Sequence, residues 1–222
     1  MSAGAAYAAH VDMSLDAGID ALPLALTPRQ RNAIRVYLAL LEKWNRTYNL
    51  TAIREPSKMI THHALDALAV LPALAPRTDD AAALRVLDVG TGGGVPGVLL
   101  AIARPRWQVT LLDANHKKGA FLTQAVIEIG LTNATVAISR VEDYRAPALF
   151  DIVISRAYAT LAGFCTSSAA QLASGGSLYA MKGVMPDAEI AALPAGMRVV
   201  HRQLLEVPGL DAARSLVVMQ PA

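Results

Sequence analysis

The chain has 222 residues, of which 54% are hydrophobic and 17% charged, and a net charge of only +2. That length fits one α/β domain with an appendage or at most two small domains, and the apolar content excludes global disorder. Its one cysteine, Cys165, excludes a disulfide framework and a cysteine metal cluster.

Residues 1–26 are rich in Ala, contain no Lys or Arg, and carry Asp12, Asp16 and Asp20. They read as a flexible tail or a frayed amphipathic segment. No basic segment precedes an apolar run there, so no signal peptide is expected, and no apolar run reaches the ~18 residues of a membrane span. A cytoplasmic protein follows as the expectation. From Arg29 to Lys58 seven basic residues face only Glu42 and Glu55. Arg29, Arg31 and Arg35 head this stretch. A polyanionic partner and a plain solvated helix face explain such a stretch equally well.

Thr27-Pro28-Arg29-Gln30 reads as a helix start, with Thr27 as cap, Pro28 in the first turn and Gln30 closing a capping box. Ile34, Tyr37, Leu41, Trp44 and Tyr48 then form one apolar stripe, so core packing is the expected role of Trp44 and Tyr48. Pro56 opens a second helix that carries Ile60, Ala64, Ala67, Leu68 and Leu71 inward and stops before Pro72. Residues 27–80 thus form an N-terminal helical region ending in a linker, and 81–222 a separate domain.

In that second region short apolar runs alternate with helical stretches. Strands are expected at Leu84–Val89, Gln108–Asp113, Thr135–Ile138, Phe150–Ser155 and Ser177–Lys182. Helices are expected at Gly97–Arg104, 115–130 and 157–173. This alternation predicts an α/β fold with a mostly parallel sheet covered on both faces. Arg198–Val207 and Ser215–Met219 have no helix between them and read as an antiparallel hairpin at the sheet edge. No repeat or coiled coil is present, so a monomer without an obligate protein partner is expected.

The first strand runs into Gly90-Thr91-Gly92-Gly93-Gly94-Val95-Pro96-Gly97. A Gly-rich turn at this point lets backbone approach a ligand, and the helix start offers free N–H groups. Asp113 ends the second strand, where a carboxylate accepts the hydroxyls of an adenosine ribose. The alternation of Gly90, Gly92 and Gly94 differs from the dinucleotide spacing, and the edge hairpin replaces a dehydrogenase's second domain. Both features favour S-adenosylmethionine over a nicotinamide cofactor. Asp88 either meets the methionine amino group or orders the glycine loop.

Arg156 follows the fourth strand and Lys182 ends the fifth, at the sheet edge where ligands bind. Arg156 is expected to clamp a cofactor carboxylate or a phosphate, against the alternative of an ion pair with Asp151 or Glu142. Lys182 and Arg214 are candidates for phosphate contact, and solvation explains them as well. Adjacent His62 and His63 point apart on a helix and lack further ligands, so no metal is expected. Asp66 is read as a tie between the helical region and the cofactor domain.

Together these stretches resemble the bacterial 16S rRNA guanine-N7 methyltransferase family RsmG, also called GidB. The resemblance runs from about Leu40 to Met219 through Trp44-Asn45…Tyr48-Asn49-Leu50-Thr51, His63-Ala64-Leu65-Asp66, Asp88 to Gly97, Leu111-Leu112-Asp113, Ser139-Arg140-Val141-Glu142, Ser155-Arg156-Ala157, Lys182-Gly183 and Arg214-Ser215-Leu216-Val217-Val218. Lys118, Val95 and Ala67 depart mildly from the family pattern. The resemblance implies a class I S-adenosylmethionine-dependent methyltransferase, Rossmann-like with a seven-stranded sheet, acting on a guanine N7 of 16S rRNA in the small subunit. It places Gly90 and Val95 on the cofactor, Val141 and Glu142 beside its adenine, and Arg156 in the active cleft. Two rival readings are a nicotinamide-dependent oxidoreductase and a non-catalytic RNA-binding protein that kept the fold.

Overall fold

The computed structural model describes residues 15–74, 83–158 and 160–222. Helix α1 (Pro28–Tyr48) begins where Thr27 accepts from the Gln30 N–H while the Gln30 side chain accepts from the Thr27 N–H. It stops at Asn49, whose left-handed backbone (φ 50°) ends the helical ladder. The turn that follows is held by Asn45, buried inside α1. Its side chain accepts from the Thr51 N–H and donates to the Ile53 carbonyl.

The second helical run is broken, unlike the single helix expected from Pro56. It consists of α2 (Pro56–Met59), a π-helical segment (Ile60–Leu65) and α3 (Asp66–Leu68), followed by α4 (Leu71–Leu74). Pro72 therefore lies inside the first turn of α4, where its missing N–H costs nothing, and does not terminate a helix.

The sheet is built from β1 (Arg85–Val89), β2 (Gln108–Asp113), β3 (Ala134–Ile138), β4 (Phe150–Arg156), β5 (Leu172–Lys182), β6 (Met197–Leu204) and β7 (Ser215–Pro221). Its order is β3-β2-β1-β4-β5-β7-β6. The first five strands are parallel, and β7 pairs antiparallel with both β5 and β6. The order reverses between β1 and β4, which opens a crevice at their C-terminal ends. Helices α5 (Gly97–Ala103), α6 (His116–Ile129) and α7 (Leu161–Ser168) cover the faces. Asn115 and Gly130 cap α6 at its two ends. A short helix, α8 (Asp187–Ala191), sits between β5 and β6, where no periodic apolar pattern marks one.

The helical region and the sheet share one core. Ile34, Tyr37 and Leu41 of α1 are buried with Leu111 of β2, Leu99 of α5 and Phe121 and Leu122 of α6. The division expected at residue 80 falls outside the described residues. The flexible tail expected over 1–26 fails for its second half. Residues 15–20 are helical, and Leu15, Ile19, Leu22 and Leu26 are buried in that same core. Residues 1–14 lie outside the described part. Cys165 is buried, as expected of a small core residue, and burial pushes its thiol up to about 11. Tyr48, expected in the core, is 45% exposed at the end of α1 and packs on Trp44 in a tilted ring pair.

Candidate active site

The glycine loop is pinned from three sides. The Gly90 and Thr91 N–H groups donate to the Leu112 carbonyl at the end of β2. Asp113 accepts from the Gly92 N–H at 2.9 Å through Oδ2 and from the Asn115 N–H at 2.9 Å through Oδ1. From the helical region, the buried Tyr37 hydroxyl donates to the Gly93 carbonyl at 2.6 Å. Burial pushes the Tyr37 phenol upward, so it stays a donor at neutral pH.

The glycines serve different needs. Gly90, Gly92 and Gly94 all have positive φ. A Cβ at Gly90 would meet nothing within 4 Å, so that backbone faces open space. A Cβ at Gly94 would come within 2.6 Å of Val98 and 3.1 Å of Leu122. Gly94 is buried against the two helices behind the loop and lines neither cavity of the crevice, so packing accounts for it and its expected cofactor contact is corrected.

Asp88 also receives a correction. It is fully buried beneath the loop, where Oδ2 accepts from the Thr91 hydroxyl at 2.6 Å and the Gly97 N–H at 2.7 Å. Its Oδ1 has no hydrogen-bond partner among the described residues. Burial raises its carboxyl to about 6 against those two bonds. Of the two roles read for Asp88, ordering the loop fits this placement, and contact with a methionine amino group does not.

Two cavities meet at Gly90. One, about 230 Å³, is lined by Asp113, Arg140, Val141, Glu142 and Tyr158. The other, about 350 Å³, is lined by Gly92, Val95, His63, Asp66, Arg156, Met181, Lys182 and Arg214. Gly90, Gly92, Val95, Asp113, Val141, Glu142, Arg156, Lys182 and Arg214 therefore lie along one continuous groove over the crevice. An adenosine ligand suits the smaller cavity. Each Asp113 oxygen keeps a lone pair after its backbone bond, Val141 offers an apolar face, and Glu142 is exposed. Lys118 stands 3.5 Å from Asp113.

Arg156 pairs with neither Asp151 nor Glu142. Its Nη1 donates to the His62 carbonyl at 2.6 Å and to Asp66 at 3.1 Å, and Nη2 lies 3.2 Å from His63 Nδ1. Burial, and then the Arg156 charge, push His63 down to about 4, so its ring is neutral near pH 7. Lys182 is held by Glu189 of α8, with its Nζ 3.0 and 3.2 Å from the two carboxylate oxygens. Burial works to raise Glu189, but the Lys182 ammonium and the Leu161 N–H outweigh it, so its carboxyl sits below the ordinary range. Arg31 pairs with Asp16 and Asp20, and Arg35 with Asp16. Those two arginines face acidic side chains of their own chain, against the expectation that they reach for RNA, and only Arg29 of the three is exposed and free of an ion pair among the described residues. Sequence reasoning missed Tyr37, whose place in an apolar stripe hides its hydroxyl, and Glu189, which sits on a helix too short to show periodicity. No group of three or more His, Cys, Asp or Glu suited to a metal ion occurs among the described residues.

A mixed sheet with this order, a glycine loop at the reversal point and a carboxylate at the end of β2 define a class I S-adenosylmethionine-dependent methyltransferase. Solved structures agree on the fold. TrmN from Thermus thermophilus matches with a TM-score of 0.52 at 20% identity, over 73% of this chain and 53% of its own. Coclaurine N-methyltransferase bound to N-methylheliamine and SAH matches with a TM-score of 0.57 at 10% identity, over 96% of this chain and 94% of its own. The particular family follows from sequence: the model described as rRNA small subunit methyltransferase G matches residues 30–217, and the chain belongs to that family. Ribosomal RNA small subunit methyltransferase G of Laribacter hongkongensis is 51% identical over 91% of this chain and 95% of its own length. The protein of the same name from Burkholderia pseudomallei is 51% identical over 93% and 89%.

Proposed function

We propose that this chain transfers a methyl group from S-adenosylmethionine to N7 of a guanine in the 16S rRNA of the small ribosomal subunit. The observation that carries this reading is the continuous groove, with a ribose-type carboxylate at one end and two arginines at the other, in a member of this family. S-adenosylmethionine supplies an already activated methyl on a sulfonium centre. Guanine N7 offers an in-plane lone pair and no proton, so the chain needs no general base and contributes alignment. The groove fits that demand: His63 is neutral and hydrogen-bonded, and Asp88 is buried under the loop.

The backbone at Gly90 and the Asp113 carboxylate hold the nucleoside end, and Val141 and Glu142 flank the base. Tyr37 fixes the loop from behind. Arg156, Arg214 and Arg29 supply positive charge for RNA, while Lys182 is neutralised by Glu189, and no helix among the described residues is long and apolar enough to cross a membrane. The reading includes a monomer working in the cytoplasm. It is tested by mapping N7-methylguanine in 16S rRNA from cells with and without the gene, and by restoring the mark with the purified chain. An unchanged map would overturn it. The intact loop and Asp113 speak against a binding protein that merely kept the fold.

A further inference from the structure

We propose that Asp66 is a positioning residue that holds Arg156 and Arg214 together as a two-guanidinium cradle for one phosphodiester of the RNA substrate. The inference deepens the RNA-methylation reading and depends on it for the identity of the polyanion. Asp66 begins α3, directly after the π-helical segment, and its side chain is 2% exposed. Oδ2 accepts from Arg156 Nη1 at 3.1 Å and Oδ1 from Arg214 Nε at 2.9 Å. One carboxylate thus faces two guanidiniums that enter from the ends of different strands, and the cluster keeps a net positive charge. A lone structural ion pair would need only one of them.

The arginines are held but not satisfied. Arg156 uses Nη1 on Asp66 and the His62 carbonyl and sets Nη2 3.2 Å from His63 Nδ1, and Arg214 uses Nε on Asp66 and Nη1 on the Ala213 carbonyl. Arg156 Nε and Arg214 Nη2 donate to nothing among the described residues, and both side chains line the larger cavity with about a quarter of their surface exposed. Guanidiniums with free N–H groups suit a phosphate, and fixing them beforehand lowers the ordering cost of binding. Lys182 in the same cavity is already engaged by Glu189, so it is not the cation left for a ligand.

Position favours RNA phosphate over the cofactor's own carboxylate. The crevice lies between β1 and β4, and the nucleoside end points toward β2 and β3. Arg214 enters beside β7, two strands past β4, which at ~4.8 Å per strand is about 10 Å farther along the sheet. The π-helical segment contributes too: it turns the His62 carbonyl toward Arg156 while bringing Asp66 into the cavity wall.

The test uses the full chain, direct binding to 16S rRNA, and calorimetry with S-adenosylmethionine, for Asp66→Asn and Arg214→Gln. RNA affinity is expected to fall about tenfold in each. Cofactor affinity should stay within about twofold of wild type. For Arg214→Gln the slope of log affinity against log salt should become shallower by about one. The double variant should be little weaker than either single one, because the two act through one cradle. Lower melting temperatures with unchanged RNA affinity and salt slope would overturn the proposal and leave the network a fold contact. A loss of cofactor affinity with RNA binding intact would assign the cradle to the cofactor carboxylate instead. If Asp66→Asn does not fold, Arg214→Gln at the cavity rim decides alone. A wild-type chain that binds RNA without methylating it would fail the activity reading and still leave this measurement decisive.

Discussion

The two ends of the groove are built in opposite ways. At the end proposed for the nucleoside, everything from Asp88 to Asp113 comes from one strand–loop–helix–strand unit, and backbone N–H groups do most of the holding. At the other end, Asp66, Arg156 and Arg214 come from segments 90 and 148 residues apart, and side-chain charge does the holding. A local unit keeps its geometry because short chain connections fix it. The charged cluster keeps its geometry only while the helical region stays packed on the sheet.

Breaking the charged end should give the largest effect. Arg156→Ala leaves Asp66 buried with one partner and removes a cation from the cleft. Single-turnover methylation is expected to slow by a factor on the order of a hundred, equivalent to about 3 kcal/mol of lost transition-state stabilisation. Arg156→Lys should recover little, since an ammonium cannot bond His62 and Asp66 in the same fork. A near-normal Arg156→Ala rate would remove this residue from the active cleft.

Within the glycine loop, packing should outweigh openness. Gly94→Val meets Val98 and Leu122 and must adopt a positive φ, so a loss of about 3 kcal/mol in unfolding free energy is expected. Gly90→Ala meets no neighbour, so backbone strain of about 1 kcal/mol is the whole cost. Denaturant titration of the two variants checks the order, and equal losses would show that the loop is not packed as described.

At the nucleoside end, Asp113→Ala should weaken S-adenosylmethionine binding by about 2 kcal/mol, because the ribose acceptor and the bond to Gly92 go together. Asp113→Asn keeps one acceptor oxygen and should lose less. Calorimetry that finds the alanine variant unchanged would move the ribose elsewhere.

A further effect is spread over a range of pH. His63 is held down to about 4 in the folded chain, whereas the unfolded chain takes up that proton near the ordinary value of 6.5. The unfolded state then binds more protons, so this group costs stability as pH falls from about 6.5 toward 4, at up to ~1.4 kcal/mol per pH unit. Asp88, raised to about 6, acts in the opposite sense, because the folded chain takes up its proton first. His63→Gln should therefore flatten the acid-side loss of melting temperature. An identical pH profile in the variant would show that His63 is not held neutral.

The sequence by itself determined the parts whose signals are local. Strand alternation placed β1, β2, β4, β5 and the edge hairpin, Thr27 to Gln30 spelled out the start of α1, and glycine spacing with Asp113 marked the loop and the carboxylate that line the smaller cavity. Each of these depends on neighbours along the chain, where hydrogen-bond geometry and periodicity leave a pattern. Tertiary structure alone decided the rest. The π-helical segment shifts hydrogen bonds by one residue without changing the apolar pattern, so it read as plain helix. Five-residue α8 is too short to show a period, so the Glu189 hold on Lys182 was invisible. Asp16 and Asp20 neutralise Arg31 and Arg35 only because residues 15–26 fold back on α1. Asp66 was legible as a link between regions, but which arginines it would gather was not. A charge pairs with whatever the packed chain brings within about 3 Å, and that distance is set by the closed core, not by spacing in the sequence.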